Sequence, residues 1–158
     1  MLAEIQEACA NYLNGVIVPE GLTRVDFFAS DPAIQVITEQ RADYENELGR
    51  LVNSLGLCML VLTVTANGGQ NQFPDRLAFD DIDVRVRALC DPALNQTRVS
   101  PSSACEAAVW YLRKFTPLAG GYSLIFKSIE LAEDRAAPLA YDAIFSLSAK
   151  SSTAPSRS

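Results

Sequence analysis

Three carboxylates fall within four positions at Asp80, Asp81 and Asp83, in the stretch FDDIDVRVRAL from Phe79 to Leu89. Clustered carboxylates ligate hard cations such as calcium and magnesium, and paired ones can serve as general acid and base. Spacing separates these chemistries from a plainer reading. An EF-hand loop needs further oxygen ligands and a glycine at set positions, and this stretch has neither. It alternates instead: Ile82, Val84, Val86 and Ala88 take one parity, and Asp81, Asp83, Arg85 and Arg87 take the other. Period two is the signature of a half-buried strand. Asp81 and Asp83 then point away from the apolar face with Arg85 and Arg87, and Asp80 falls on the opposite side, at or before the strand start. The expectation is a charged strand face, solvated or in an interface, whose arginines can pair with acids on a neighbouring strand. The competing reading is a small intracellular enzyme or ligand-binding domain that uses Asp80, Asp81 and Asp83.

Other reactive groups are sparse. The chain contains no histidine, which removes histidine triads, zinc–histidine sites and imidazole acid–base chemistry from this chain. Ser100, Ser102 and Ser103 have no imidazole to activate them and read as helix-capping residues. Cys9, Cys58, Cys90 and Cys105 lack metal-clip or redox spacing and read as buried free thiols. In TANGGQNQ, Gly68 and Gly69 follow a strand, but the helix and lysine of a phosphate loop do not come after them. Asn67, Gly68, Gly69 and Gln70 therefore belong to a polar excursion, Asn67 to Asp75, which can project from the body as a docking element. Trp110 neighbours Tyr111, so the two leave a helix in different directions. Core or partial burial is the plainer reading of Trp110; if Tyr111 faces the core, Trp110 is a candidate interface anchor. No catalytic constellation emerges, and the expectation is a binding or assembly component without metal or cofactor.

The elements that carry these residues follow from period and punctuation. Leu2, Ile5, Cys9, Tyr12 and Leu13 have helix spacing, and Asn14-Gly15 supplies the stop. Pro19-Glu20-Gly21 reads as a turn, and TRVDFF and AIQVIT read as short extended pieces separated by Asp31-Pro32. Tyr44, Leu48, Leu51, Val52 and Leu55 predict a helix from an Asp43 N-cap to Leu55, closed by Gly56. LCMLVLTVTA, Leu57 to Ala66, is apolar on both parities and predicts a central strand covered on both faces. A helix starts at Ser100-Pro101, or slightly later through a Ser103/Glu106 capping box, and runs to Thr116-Pro117. Two strands follow around Leu124–Ile129 and Tyr141–Ser148, with EDRAAP in their connection.

This order predicts an α+β domain over residues 1–150. It has a single mixed, mostly antiparallel sheet of about four strands and two to three helices, the two central ones covering one face. Residues 151–158, SSTAPSRS being small and polar from Ser151 on, read as a disordered tail. An apolar fraction of 49% and a charged fraction of 20% are those of an ordinary globular chain. A net charge of −6 argues against a protein that grips nucleic acid electrostatically, but not against one that encloses it. The longest apolar run, Leu55 to Ala66, falls short of the roughly 20 residues a membrane helix needs. The N-terminus MLAEIQEACANYL lacks the basic start and long apolar block of a signal peptide.

One resemblance is carried by linear layout. VITEQRADYENELGRLVNSLGLCMLVLTVTA is followed by FDDIDVRVRALCDPALNQT, then an alanine-rich helix and FTPL. Between Val36 and Leu118 this resembles the tail-terminator and head–tail completion (neck) proteins of tailed bacteriophages and prophages. The resemblance implies a non-enzymatic virion protein, assembled in the host cytoplasm and resident in the tail or neck. It implies a homo-oligomeric, commonly hexameric, ring on the head-proximal end of the tail tube. Partners would be tube or sheath and neck or connector proteins, with DNA passing through unbound and no membrane contact. Asp81, Asp83, Arg85 and Arg87, carrying both signs, would suit a repeated subunit contact. A connector or tail-completion protein that docks as a monomer fits the same layout.

Overall fold

A computed structural model describes residues 1–15, 26–65 and 77–151, with backbone only at 26, 77–81 and 149–151. The loop from Asn67 to Asp75, the turn at Pro19–Gly21 and the tail beyond Ser151 lie outside the described residues. Four helices and five strands follow in order: α1 Leu2–Asn14, α2 Asp26–Ala29, β1 Val36–Thr38, α3 Tyr44–Leu55, β2 Leu57–Thr65, β3 Leu77–Cys90, α4 Pro101–Leu112, β4 Ile125–Asp134 and β5 Ala137–Ser151. The five strands make one mixed sheet in the order β1-β2-β3-β5-β4. Only β1 and β2 run parallel; the other three pairings are antiparallel.

The α+β class is as the sequence implies, with one strand and one helix more than counted there. The added helix is α2, where the extended reading of TRVDFF gives way to a helical turn at Asp26–Ala29 that buries Phe28. The added strand is β1, the end of AIQVIT. The final strands are also longer than their alternation showed. β4 reaches Asp134 and β5 starts at Ala137, so only Arg135 and Ala136 connect them. Asp134 makes that tight turn possible, because its carboxylate accepts from Ala136 N–H at 2.9 Å.

The helices do not share a face. On one side of the sheet α1, α4 and Phe28 bury Leu57, Met59 and Val61 of β2, Ile82, Val84, Val86 and Ala88 of β3, and Ala143, Phe145 and Leu147 of β5. On the other side α3 packs Leu48, Leu51 and Val52 on Ile37, Cys58, Leu60 and Leu89. Each such fully buried aliphatic side chain contributes about 1.5–3 kcal/mol. The two-sided apolar pattern of β2 demanded cover on both faces, and its first five residues are all buried. That cover comes from α1 and α3 on opposite faces, where one layer of two central helices was expected.

Local chemistry sets the helix ends. Gly56 closes α3 with φ +89°, and its missing side chain matters twice: a Cβ there would lie 2.3 Å from Asn95 N and Cα. The 91–99 loop therefore seats directly on the α3–β2 junction, with Asp91 N–H donating to Gly56 O at 2.9 Å. Asp43 holds the N-cap position of α3 in the left-handed region without capping it; its carboxylate instead accepts from Asn46 Nδ2 at 2.8 Å. Ser100 caps α4, accepting from Ser103 N–H at 3.1 Å, so the start is at Ser100-Pro101 and the Ser103/Glu106 box is not used. That helix ends at Leu112, ahead of Thr116-Pro117.

The two edges of the sheet differ. At β1, the Asn14 side chain reaches across from α1: its Nδ2 donates to Val36 O at 2.8 Å and its Oδ1 accepts from Val36 N–H at 3.3 Å. Buried Gln6 ties the same corner together, donating to Glu39 Oε1 at 2.7 Å and Thr63 Oγ1 at 2.9 Å. At the opposite edge β4 pairs with β5 alone among the described elements.

Candidate functional site

The parity of FDDIDVRVRAL holds from Ile82 onward: Ile82, Val84, Val86 and Ala88 are fully buried against α1 and α4. The register of β3 on β5 shifts between Phe79 and Ile82, so Asp80 and Asp81 stand in an irregular stretch of the ladder. Their side chains lie outside the described residues, as do Asn67, Gly68, Gly69 and Gln70. Asp83, Arg85 and Arg87 are described, and each meets partners within the chain.

The centre of that face is Asp142 of β5, only 2% exposed. Register puts it directly opposite Arg87. Arg87 grips it with two parallel bonds, Nε to Oδ1 at 2.7 Å and Nη2 to Oδ2 at 3.0 Å. Its third donor, Nη1, reaches Asp134 Oδ2 at 3.1 Å. Arg85 lies on the other flank, Nη1 to Asp142 at 3.5 Å and Nη2 to Asp83 at 3.5 Å. Lys127 of β4 closes the row, donating to Asp83 Oδ1 at 3.1 Å. Three cations and three anions thus balance across β3, β5 and β4.

The balance limits the chemistry available. The two oxygens of Asp142 are occupied by a guanidinium, and a saturated carboxylate is a poor base and a poor ligand. Arg87 is held well above its ordinary value, first by its hydrogen bonds to Asp142, which outweigh the opposing effect of burial. It stays charged at any relevant pH. Beside it runs a groove of about 510 Å³ between α3, β2 and the β4–β5 turn, lined by Glu39, Tyr44, Leu60, Arg87, Asp134 and Arg135. Its charged lining is mostly acidic, with Glu39, Glu45, Glu133 and Asp134 against Arg87 and Arg135. Among the described residues no three His, Cys, Asp or Glu side chains are grouped to hold a metal ion.

All four cysteines are buried free thiols. Burial pushes Cys9, Cys58 and Cys105 up to about 12, so none is a ready nucleophile. Trp110 is 61% exposed on α4. The Arg113 guanidinium stacks 3.8 Å from its ring centroid, so one ring face is already covered by a cation.

Among the described residues, three more exposed apolar side chains lie on the open edge. Ile125, Phe126 and Leu131 of β4 are 67%, 43% and 69% exposed. Sequence reasoning passed over them because LIFKSIEL alternates like any half-buried strand, and alternation does not say which strand ends a sheet. Asp142 was missed for a related reason. It shares a parity with Ile144 and Ser146, alternation assigned neither row of that strand to the core, and only the β3–β5 register brings it under two arginines. A lone acid in an otherwise apolar strand, with two arginines in another strand of the same sheet, was the available signal.

No protein-family model matches the chain, and no curated protein matches it.

Proposed function

We propose that this chain is a non-enzymatic assembly component of a phage or prophage virion, acting as a tail terminator acts. In this reading copies of the chain form a ring that stops growth of the tail tube and offers a joining surface to the head. The observation that carries the assembly part is the β4 edge, a ten-residue strand whose outer side pairs with no other described strand and which exposes Ile125, Phe126 and Leu131. Long apolar edges invite pairing, and soluble proteins ordinarily blunt them unless a partner covers them. The charged face supports the same reading, since the ion pairs of Asp83, Asp134 and Asp142 leave none of those three carboxylates free for catalysis. The virion setting rests on the layout from Val36 to Leu118, and a net charge of −6 suits a lumen that lets DNA slide.

The test is a capping assay. The purified chain is added to polymerising tail-tube protein encoded by the same phage or prophage, and tube lengths and ends are viewed by electron microscopy. Short tubes carrying a ring at one end support the reading. Tubes of unchanged length with bare ends refute it.

A further inference from the structure

We infer that the β4 edge is covered by β4 of a second copy of this chain, in an antiparallel two-fold pair. The inference rests on the reading of β4 as an assembly surface and adds the occupant and the register; a two-fold pair does not by itself close a ring, so a ring would be built from such pairs through other surfaces.

Among the described residues, only one edge of this sheet is open to strand addition. At β1 the outward N–H and C=O of Val36 are both taken by the Asn14 amide, which stands where a further strand would bond. Thr38 O is also engaged, accepting from Arg41 N–H at 3.4 Å. A neighbour that extends the sheet must therefore use β4, and if that neighbour is identical it too has only β4 to offer. Identical surfaces meeting about a two-fold axis form an isologous contact.

The sequence of β4 is self-complementary in one register. The pairing of β4 on β5 shifts between Phe126 and Ser128, so Lys127 and Ser128 together occupy one step of the pleat. On one face stand Phe126, stacked edge-on against Phe145 with centroids 6.0 Å apart, Ile129, packed on the main core, and Leu131, opposite Tyr141. On the other face stand Lys127, bonded to Asp83, and Glu130, opposite Asp142. An antiparallel copy with Ile129 on the axis sets Phe126 against Leu131 and Lys127 against Glu130, each twice. Each of these apolar side chains then meets an apolar one, and Lys127 meets Glu130. Glu130 gains most. Its carboxylate accepts one 3.3 Å bond from Ser128 and sits in register with the buried Asp142, a like charge. A lysine from the second copy offsets that repulsion. Shifting by one residue would turn Phe126 toward the charged face, so the register is well specified.

Light scattering after size exclusion, followed by charge reversal, tests this. The wild-type chain is expected to run at an even multiple of the monomer mass. Glu130→Lys alone and Lys127→Glu alone each juxtapose like charges, and each is expected to halve the apparent mass of a dimer. Mixed one to one, the two variants restore both pairs, and a heterodimer is expected. Circular dichroism confirms that each variant folds. As a second measurement, Phe126→Cys and Leu131→Cys chains are mixed under mild oxidation; the register predicts a covalent dimer of one chain of each kind. A wild-type monomer at high concentration overturns the inference, as does an oligomer indifferent to both charge reversals with no Phe126→Cys to Leu131→Cys crosslink. A chain that caps tubes yet fails these tests keeps the assembly reading and loses only the occupant. A β4-paired dimer that leaves tubes uncapped does the reverse.

Discussion

Replacing Asp142 by asparagine removes one charge and almost no volume from the centre of the charged face. The side chain is 2% exposed and holds both its Arg87 bonds at 3.0 Å or less. Unit charges about 4 Å apart interact by about 4 kcal/mol at an effective dielectric near 20. Breaking a buried pair from one side costs about 3–5 kcal/mol, because the other charge stays behind. Arg87 keeps Asp134 and its side chain is 18% exposed, which places the expected loss at about 3–4 kcal/mol. That is a large part of the roughly 5–15 kcal/mol by which a domain is stable. Urea unfolding followed by far-ultraviolet circular dichroism reads it directly. With a slope of about 2 kcal/mol per molar, the midpoint falls by about 1.5–2 M and the slope is unchanged. A companion variant sharpens the argument: Asp142→Leu with Arg87→Met removes both charges and should recover most of the loss. A loss for Asp142→Asn below about 1 kcal/mol, the range of exposed pairs, would refute the account of Asp142 as a buried hub.

Three further outcomes are expected. Gly56→Ala combines a left-handed backbone with a Cβ placed 2.3 Å from Asn95, and the strain and overpacking together cost about 2–5 kcal/mol, seen as a lowered urea midpoint. Cys9, Cys58 and Cys105 are held protonated up to about 12, against 9.0 for a free thiol. Below pH 9 both states are protonated; above it the unfolded thiols ionise first, so stability falls as pH rises toward 12. The fall is about 1.4 kcal/mol per thiol per pH unit, and urea midpoints at pH 8 and pH 10 check it, with Cys105→Ala flattening the slope. Asn14→Ala strips the partner from Val36 N–H and C=O, at about 1–2 kcal/mol, read from the same unfolding curves.

Where one rule governed a segment, the sequence disclosed it. Tyr44 to Leu55 has one apolar stripe and a glycine that ends it, and α3 forms there. Ile82 to Ala88 alternates without exception, and every apolar member is fully buried. The misses came where tertiary context decides. DFFA becomes a helical turn because Phe28 finds the core beside Tyr111, with ring centroids 6.2 Å apart. The side of the sheet that α3 takes is invisible to periodicity, since β2 is apolar on both parities. The burial of Asp142 was not legible, because burial of a carboxylate depends on which strand delivers the arginines. The arginine row of β3 was legible; the exposure of Trp110, where core or partial burial was the plainer reading, and the apolar edge were not.

The Asn14 amide on β1 also fixes how far association by strand addition can go. In polymer terms each chain is a monofunctional unit: one terminus of its sheet is reactive and the other is already consumed. Difunctional units of this kind would grow into fibres whose length tracks concentration. Monofunctional ones stop at the first encounter, giving a ten-strand sheet with blocked ends on both sides. In the proposed β4 pairing, a single side chain on the first helix would thereby set the stoichiometry of an interface at the opposite edge of the sheet.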